Sequence, residues 1–258
     1  MDKVEIWKRF INKTSQYERQ MRLMMGPLFQ DQEKEVLTNI DLLKYYIPER
    51  TKGRESSFLP KLADMIAKWT PAFLDFIKGV LKKEGSDVLD ELEVGGNLNL
   101  NTQRAIDYIN KNGLDLVKEI NTTTREDLRK TLGQGLADGE SIEDLKDRVK
   151  RVFDIADNSR ARKIARTEVI RASNFGTNEA YIQSGVVSGK EWLTEQDDRT
   201  DEFCAEMDGK IIDLEDNFFD LGDSFKIGGR ILNIDLFSVE YPPLHPNCRC
   251  TLIPVVLT

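Results

Sequence analysis

The chain has 258 residues, of which 40% are hydrophobic and 32% are charged. This composition is typical of a globular protein and allows one large domain or two smaller ones. No run approaches the roughly 18 apolar residues that a transmembrane helix needs, and residues 1–10 carry charges where a signal peptide has its apolar core. We therefore expect synthesis in a cytosol and no membrane contact.

The charge is distributed unevenly along the chain. Residues 186–258 contain 15 acidic and 6 basic side chains, within a net charge of −8 for the whole chain. Residues 148–171 contain eight basic and three acidic ones. The net negative charge argues against indiscriminate DNA binding, because phosphates repel it. The stretch 148–171 is either the solvated face of a helix or a site of weak, transient DNA contact.

Helical periodicity dominates residues 1–115. Apolar residues recur at helical spacing over 6–28, where Gly26 and Pro27 are expected to interrupt the helix. Later features are predicted from the same periodicity and from loop-forming residues: a stretch over about 31–47 that ends at Pro48, a loop at 52–57, a helix over 60–84 that Pro71 is expected to kink or divide, a turn at 95–99 and a short helix near 102–112.

Residues 116–185 are predicted to be helical throughout. One helix is predicted to begin at 122–127, where threonine hydroxyls can cap its N-terminus and acidic residues follow in its first turn. This helix is expected to end near 133–139. Ser141 and Asp144 have the spacing of a capping box for the next helix. Asn158 or Ser159 is then expected to cap a long helix of about 25 residues that ends at 184–185.

The pattern changes at residue 186 to short β-like segments separated by glycines and acids. Candidate strands lie at 190–194, 210–212, 230–234 and 250–257. The sequence therefore predicts an α+β protein, in which a helical N-terminal region and a long helix precede a small, acidic, β-rich C-terminal unit. The expected domains are 1–115, a helical region for docking to a partner, then 116–185 and 186–258.

All three cysteines and the single histidine lie between residues 204 and 250. His245 and Cys248 have the two-residue gap of zinc knuckles, and Cys250 follows on the same face of a strand. Cys204 would complete a set of four ligands, and such a closed set is structural because catalytic zinc keeps an open position. Met207 stands where a zinc ribbon would have a further thiolate. Alternatively, the cysteines are small core residues and His245 lies in a surface turn.

Glu168 lies on the apolar face of the long predicted helix. A carboxylate there is either paired with a cation or made functional by desolvation, and Arg199 and Arg249 are candidate partners for a structural ion pair. The sequence contains no Gly-x-Ser-x-Gly, P-loop or His-Glu-x-x-His motif, and a single histidine gives little support to a Ser-His-Asp triad. We therefore predict no catalytic residues and no enzymatic activity.

Three groups of residues in the C-terminal half occur in a characteristic order. They are the lead-in at 133–141, the helix at 161–168 with its continuation at 172–176, and a C-terminal series formed by Trp192, 198–200, 208–210 and 242–250. In this order they resemble the phage head morphogenesis or minor capsid family, which includes the F protein of phage Mu. The resemblance supports zinc binding, because family members place either a histidine or a cysteine at the position of Cys204.

The resemblance implies a minor structural protein of a tailed-phage head. Such a protein associates with the portal protein, with scaffold or major capsid protein as further partners, and supports head assembly, DNA packaging or DNA delivery. Its expected location is the capsid interior near the portal vertex, after assembly in the host cytoplasm. One alternative is an enzyme that acts on a nucleotide or nucleic acid through Glu168 with Arg166 or Arg199. Another is a zinc-knuckle nucleic-acid binder, which the acidic surroundings of the cluster disfavour.

Overall fold

The computed structural model describes residues 2–42, 56, 59–195 and 197–257. The helices are α1 (Lys3–Asp41), α2 (Leu62–Glu91), α3 (Gln103–Ala137), α4 (Ile142–Ile155), α5 (Ala161–Ser184) and α6 (Glu202–Met207). The strands are β1 (Val187–Leu193), β2 (Ile211–Asp213), β3 (Ser224–Ile227), β4 (Arg230–Asn233) and β5 (Thr251–Val256). Long helices followed by a small antiparallel sheet confirm the α+β prediction. Among the described residues, none of the helices is both long and apolar enough to cross a membrane.

The chain folds into two compact units, each built from separate stretches of sequence. Unit 1 consists of Met1–Arg19, Ile77–Ile106 and Lys163–Thr258, and unit 2 of Gln20–Phe76 and Asp107–Arg162. The helices α1, α2 and α3 each contribute to both units, as does α5, whose first two residues belong to unit 2. The domain boundaries predicted after residues 115 and 185 follow changes in residue pattern rather than compactness, and they stay predictions.

Two prolines lie inside helices without ending them. Pro27 is within α1 and Pro71 is within α2, so the predicted interruption near residue 27 is wrong and Pro71 does not divide its helix. Pro27 leaves the carbonyl of Leu23 without its helical partner, but Leu23 is 67% exposed and water can bind this oxygen. Met25 and Phe29 are buried on the other face in unit 2, and their packing offsets the cost of the proline. The predictions for Pro48 and the loop at 52–57 lie outside the described residues, apart from Ser56.

The two helices predicted near 102–112 and from 122 form one continuous helix, α3. Thr124 is buried, and its hydroxyl donates a hydrogen bond of 2.9 Å to the Ile120 carbonyl inside this helix. The threonine hydroxyl therefore does not cap a new helix, and the predicted start near 122 is wrong. The local signal of a cap is overridden because the apolar face of the helix continues through this stretch in unit 2.

The junctions around α4 and α5 match the sequence in part. Ser141 and Asp144 form the predicted capping box, with Ser141 Oγ accepting from the Asp144 amide at 3.2 Å. A π-helical turn, Ala156–Arg160, joins α4 to α5, so the predicted cap at 158–159 is wrong. Ser159 Oγ instead donates to the Ile155 carbonyl at 3.2 Å. The predicted end of the long helix is confirmed by Gly185, whose φ of 68° stops α5 after its last residue.

The strands form a three-stranded sheet and a separate hairpin, both in unit 1. The order of the sheet is β2–β1–β5, and both pairings are antiparallel, with Lys190 opposite Ile212 on one side and Pro254 on the other. β3 and β4 pair around Gly228 and Gly229, whose φ angles of 53° and 82° suit a tight turn. The four predicted strands correspond to β1, β2, β4 and β5. β3, the first strand of the hairpin, was not predicted.

Candidate metal centre

Three cysteines of unit 1 meet in a buried cluster. Cys204 lies within α6. Asp201 caps the N-terminus of this helix, because its side chain accepts a hydrogen bond from the Phe203 amide at 3.0 Å. Cys248 and Cys250 lie in the segment that leads into β5. The three Sγ atoms are all within 4.8 Å of one another, and none of the three residues is more than 3% exposed. All three are free thiols.

The distances within the cluster suit a small, soft cation. Cys204 Sγ and Cys248 Sγ are 3.7 Å apart, and two sulfurs at about 2.3 Å from one tetrahedral zinc ion are separated by about 3.8 Å. His245 Nε2 lies 3.0 Å from Cys204 Sγ. His245 Nδ1 is 2.9 Å from the Pro246 carbonyl and must donate to it, which leaves the lone pair on Nε2. This arrangement is typical of histidines that bind metal ions.

The backbone of the ligand segment bends in two places. The Cys248 amide donates to the His245 carbonyl at 3.2 Å, across a turn in which Asn247 has a φ of 64°. The Cys250 amide then donates to Cys248 Sγ at 3.4 Å. An amide directed at sulfur stabilises a thiolate, and this second bend lies between the two cysteines.

The three cysteines of the cluster differ in the direction in which their pKa values are shifted. Burial alone raises the pKa of Cys248, but hydrogen bonds from Cys204 and Cys250 bring this pKa well below its usual range. The pKa of Cys204 is raised by the hydrogen bond between Cys204 and Cys248. The pKa of Cys250 is raised by burial. A divalent cation would displace protons from the thiols that it binds, so its binding would release protons and weaken at low pH.

The cluster is part of an apolar core rather than a polar cleft. Trp192 and Met207 are almost completely buried against the cysteines, so Met207 fills the core. The full set of buried residues in this core is Trp192, Phe203, Cys204, Met207, Ile234, Val239, Leu244, Cys248 and Cys250. The buried cysteines are compatible with a metal site and also with a core of small thiols. The set of Cys204, His245, Cys248 and Cys250 as ligands therefore stays a prediction.

Helix α5 holds the ligand segment in place through side chains that sequence analysis did not single out. Asn174 is fully buried, and its Nδ2 donates to the Cys250 carbonyl at 3.1 Å. Its Oδ1 accepts from Thr251 Oγ1 at 3.0 Å. The Asn247 amide donates to Thr167 Oγ1 at 3.2 Å. A buried asparagine within an apolar helical face was the available signal, since such a group needs hydrogen-bond partners.

The stretch at 208–210 closes the loop that carries α6. Asp208 Oδ1 accepts from the Thr194 amide at 2.7 Å, and the Gly209 amide donates to the Trp192 carbonyl at 2.8 Å. Gly209 has a φ of 79°, which favours glycine. Thr194 Oγ1 is 2.8 Å from Cys250 Sγ. The stretch thus fixes the end of β1 against the cluster.

Glu168, Arg199 and Arg249, which were predicted to form one structural ion pair, are divided between two ionic groups. Arg249 donates to both oxygens of Asp197, at 2.9 and 2.5 Å, and Arg199 donates to the same carboxylate at 3.2 Å. These arginines, Arg249 foremost, hold the pKa of Asp197 well below its usual range. Glu168 accepts two hydrogen bonds from Arg171, at 2.6 and 2.7 Å. The position of Arg171 three residues farther along the helix was a signal for this pair, whereas no local signal marked the pairing of Asp197 with Arg249, 52 residues away.

Most bases of the stretch 148–171 have acidic partners within their own unit. In unit 2, Arg148 donates to Glu140 at 2.5 and 2.6 Å and Arg160 donates to Asp127 at 3.0 Å. The further pairs in this stretch are Lys150 with Asp147, Arg166 with Glu18, and Arg171 with Glu168. These pairs leave less free positive charge for DNA than the sequence alone indicates.

Two curated proteins are similar to the chain. The uncharacterized protein YqbB of Bacillus subtilis is 26% identical over 187 residues, which cover 70% of this chain and 58% of that protein. The NAD(+)–arginine ADP-ribosyltransferase EFV of Enterococcus faecalis is 35% identical over 104 residues, which cover 39% of this chain and 20% of that protein. The chain thus spans less than two thirds of either relative. No solved structure matches it.

A family model matches the part of the chain that contains the cluster. The family is described as Phage Mu protein F like protein, and the match covers residues 126–253. This range includes α4, α5 and all four candidate ligands. It confirms the predicted resemblance and suggests a role in phage head morphogenesis and association with the virion. Over residues 126–253, just under half of its length, the chain is similar to the Phage Mu protein F like family.

Proposed function

We propose that the protein is a minor structural component of a tailed-phage head that associates with the portal protein and supports head assembly, DNA packaging or DNA delivery. The family match over residues 126–253 carries this proposal. The setting of the cysteine cluster supports it, because a closed group of thiols in an apolar core suits a structural role. The capsid interior near the portal vertex is the proposed location.

Association with the portal protein is tested by producing both proteins of one phage together. A tag on the portal protein should retain the chain through size-exclusion chromatography, in a complex that elutes before either protein alone. The major capsid protein of the same phage, tagged in the same way, is the control for unspecific retention. Elution of the chain and the portal protein as separate species in both cases would contradict the proposal.

Zinc is the proposed ion of the cluster, held by Cys204, His245, Cys248 and Cys250. When bound, it would cross-link α6 to the segment before β5, and in a small β-rich unit such binding is coupled to folding. Protein purified without a metal-affinity step should contain about one zinc ion per chain by elemental analysis, as expected for one closed site. A chelator should then make residues 186–258 sensitive to protease. Absence of zinc would reject the cross-link and leave the head-protein role standing.

An enzyme that acts on a nucleotide is the second candidate, favoured by the similarity to an NAD(+)–arginine ADP-ribosyltransferase. The match covers a fifth of that protein, so the activity is a proposal for this chain. Release of nicotinamide from NAD(+), with transfer of ADP-ribose to a small guanidine compound that serves as the arginine acceptor, tests it. If Glu168 is catalytic, Glu168→Gln abolishes turnover while the melting temperature stays unchanged. If Glu168 serves only its ion pair with Arg171, the wild type shows no turnover and the substitution lowers stability instead.

A further inference from the structure

Arg249, the residue between two of the cysteines, is held through both its backbone and its side chain. Its carbonyl oxygen accepts a hydrogen bond of 3.0 Å from Trp7 Nε1. Its guanidinium group lies 5.6 Å from the centre of the Trp7 ring and donates to both oxygens of Asp197. The peptide that separates Cys248 from Cys250 is thus tied to the first helix of the chain.

Trp7 is itself fixed by packing within unit 1. Its side chain is 8% exposed and packs against Leu193 of β1 and Ile253 of β5. One turn earlier in α1, Lys3 forms an ion pair with Glu191 of β1. The two strands flank the cysteine cluster in sequence, since one ends just before Thr194 and the other begins just after Cys250. The first turns of α1 therefore cover the part of the sheet next to the cluster.

We propose that Trp7 is a positioning residue for the metal centre, although it lies far outside the matched range 126–253. This inference rests on the zinc centre proposed above. The segment from Cys248 to Cys250 precedes β5 and is not part of a regular strand, and the Cys250 amide turns toward Cys248 Sγ, to which it donates at 3.4 Å. This bend of the backbone helps to place both sulfurs within 4.8 Å of each other. The hydrogen bond from Trp7 holds the carbonyl of that bent segment.

Trp7→Phe tests this role, because it keeps an aromatic ring and removes the N–H donor. We expect zinc affinity to fall about threefold to tenfold, as measured by competition with a chromophoric chelator. Trp69→Phe is the matched control: Trp69 is fully buried in unit 2, and its Nε1 has no hydrogen-bond partner in the described part of the chain. This control should bind zinc like the wild type.

A second measurement on the wild type guards against a variant that fails to fold. Linkage requires that a contact which strengthens zinc binding is itself strengthened by zinc to the same degree. Amides of residues 7–14 should therefore exchange their hydrogens about threefold to tenfold more slowly when zinc is added to the metal-free protein. Unchanged exchange together with equal zinc affinity of Trp7→Phe and wild type would overturn the role of Trp7 and leave the zinc centre intact. A wild type that binds no zinc would overturn both.

Discussion

Replacement of Asn174 by alanine should release the ligand segment from α5. The substitution removes the hydrogen bond of 3.1 Å to the Cys250 carbonyl and the one of 3.0 Å from Thr251 Oγ1. Both partners are buried, and a buried polar group left unpaired costs about 1–3 kcal/mol. Because some relaxation is expected, we predict a loss of about 2–4 kcal/mol in the free energy of unfolding of unit 1.

Urea unfolding in a Trp69→Phe background measures this loss, because the remaining tryptophans, Trp7 and Trp192, both belong to unit 1. Asn217→Ala is the matched control within unit 1. The Asn217 side chain is exposed and donates to Asp220, three residues later, at 2.8 Å, and its removal should change the transition by less than about 0.5 kcal/mol. A loss below about 1 kcal/mol for Asn174→Ala would show that this side chain does not hold the segment in place.

Two further substitutions test packing and charge inside unit 1. A Cβ atom on Gly176 would lie 3.1 Å from the Leu81 carbonyl oxygen, so Gly176→Ala should lower the free energy of unfolding by about 1–3 kcal/mol, as measured with urea. The control Gly79→Ala should be neutral or stabilising, because no atom lies within 4 Å of a Cβ placed there. Equal effects of the two substitutions would contradict the close approach of Gly176 to Leu81. Burial lowers the pKa of Lys190 from 10.5 to about 8, so between these values Lys190 binds more proton in the unfolded chain and contributes an increase of stability with pH. Lys190→Met should remove this contribution, so the stability of the wild type relative to the variant should increase from about pH 8 to about pH 10; a difference that does not change with pH would contradict the lowered pKa.

Local signals in the sequence were sufficient where structure depends on neighbouring residues. The capping box at Ser141, the glycine stop at Gly185 and the short alternating strands are set by interactions within a few residues. The cluster of cysteines could also be anticipated, because His245, Cys248 and Cys250 are close in sequence. Only Cys204 had to be assigned to the site from a distance, and the structure places its sulfur 3.7 Å from that of Cys248.

Features set by tertiary packing could not be read from local pattern. Pro27 and Thr124 carry signals for a helix end and a helix start, yet burial along one face keeps α1 and α3 continuous. The contacts that hold the cluster come from far away in sequence: Asn174 is 76 residues from Cys250, and Trp7 is 242 residues from Arg249. Composition and spacing carry no information about such pairs until the fold brings them together.

The central claim is that the protein is a component of the phage head, and the protein content of purified particles tests it most directly. Quantitative mass spectrometry of heads purified from the phage that encodes the chain should find it at a few copies per particle, far below the major capsid protein. Particles made without the chain should have lost normal assembly, packaging or delivery of DNA. A chain that is absent from purified heads and remains in the soluble lysate would contradict the account.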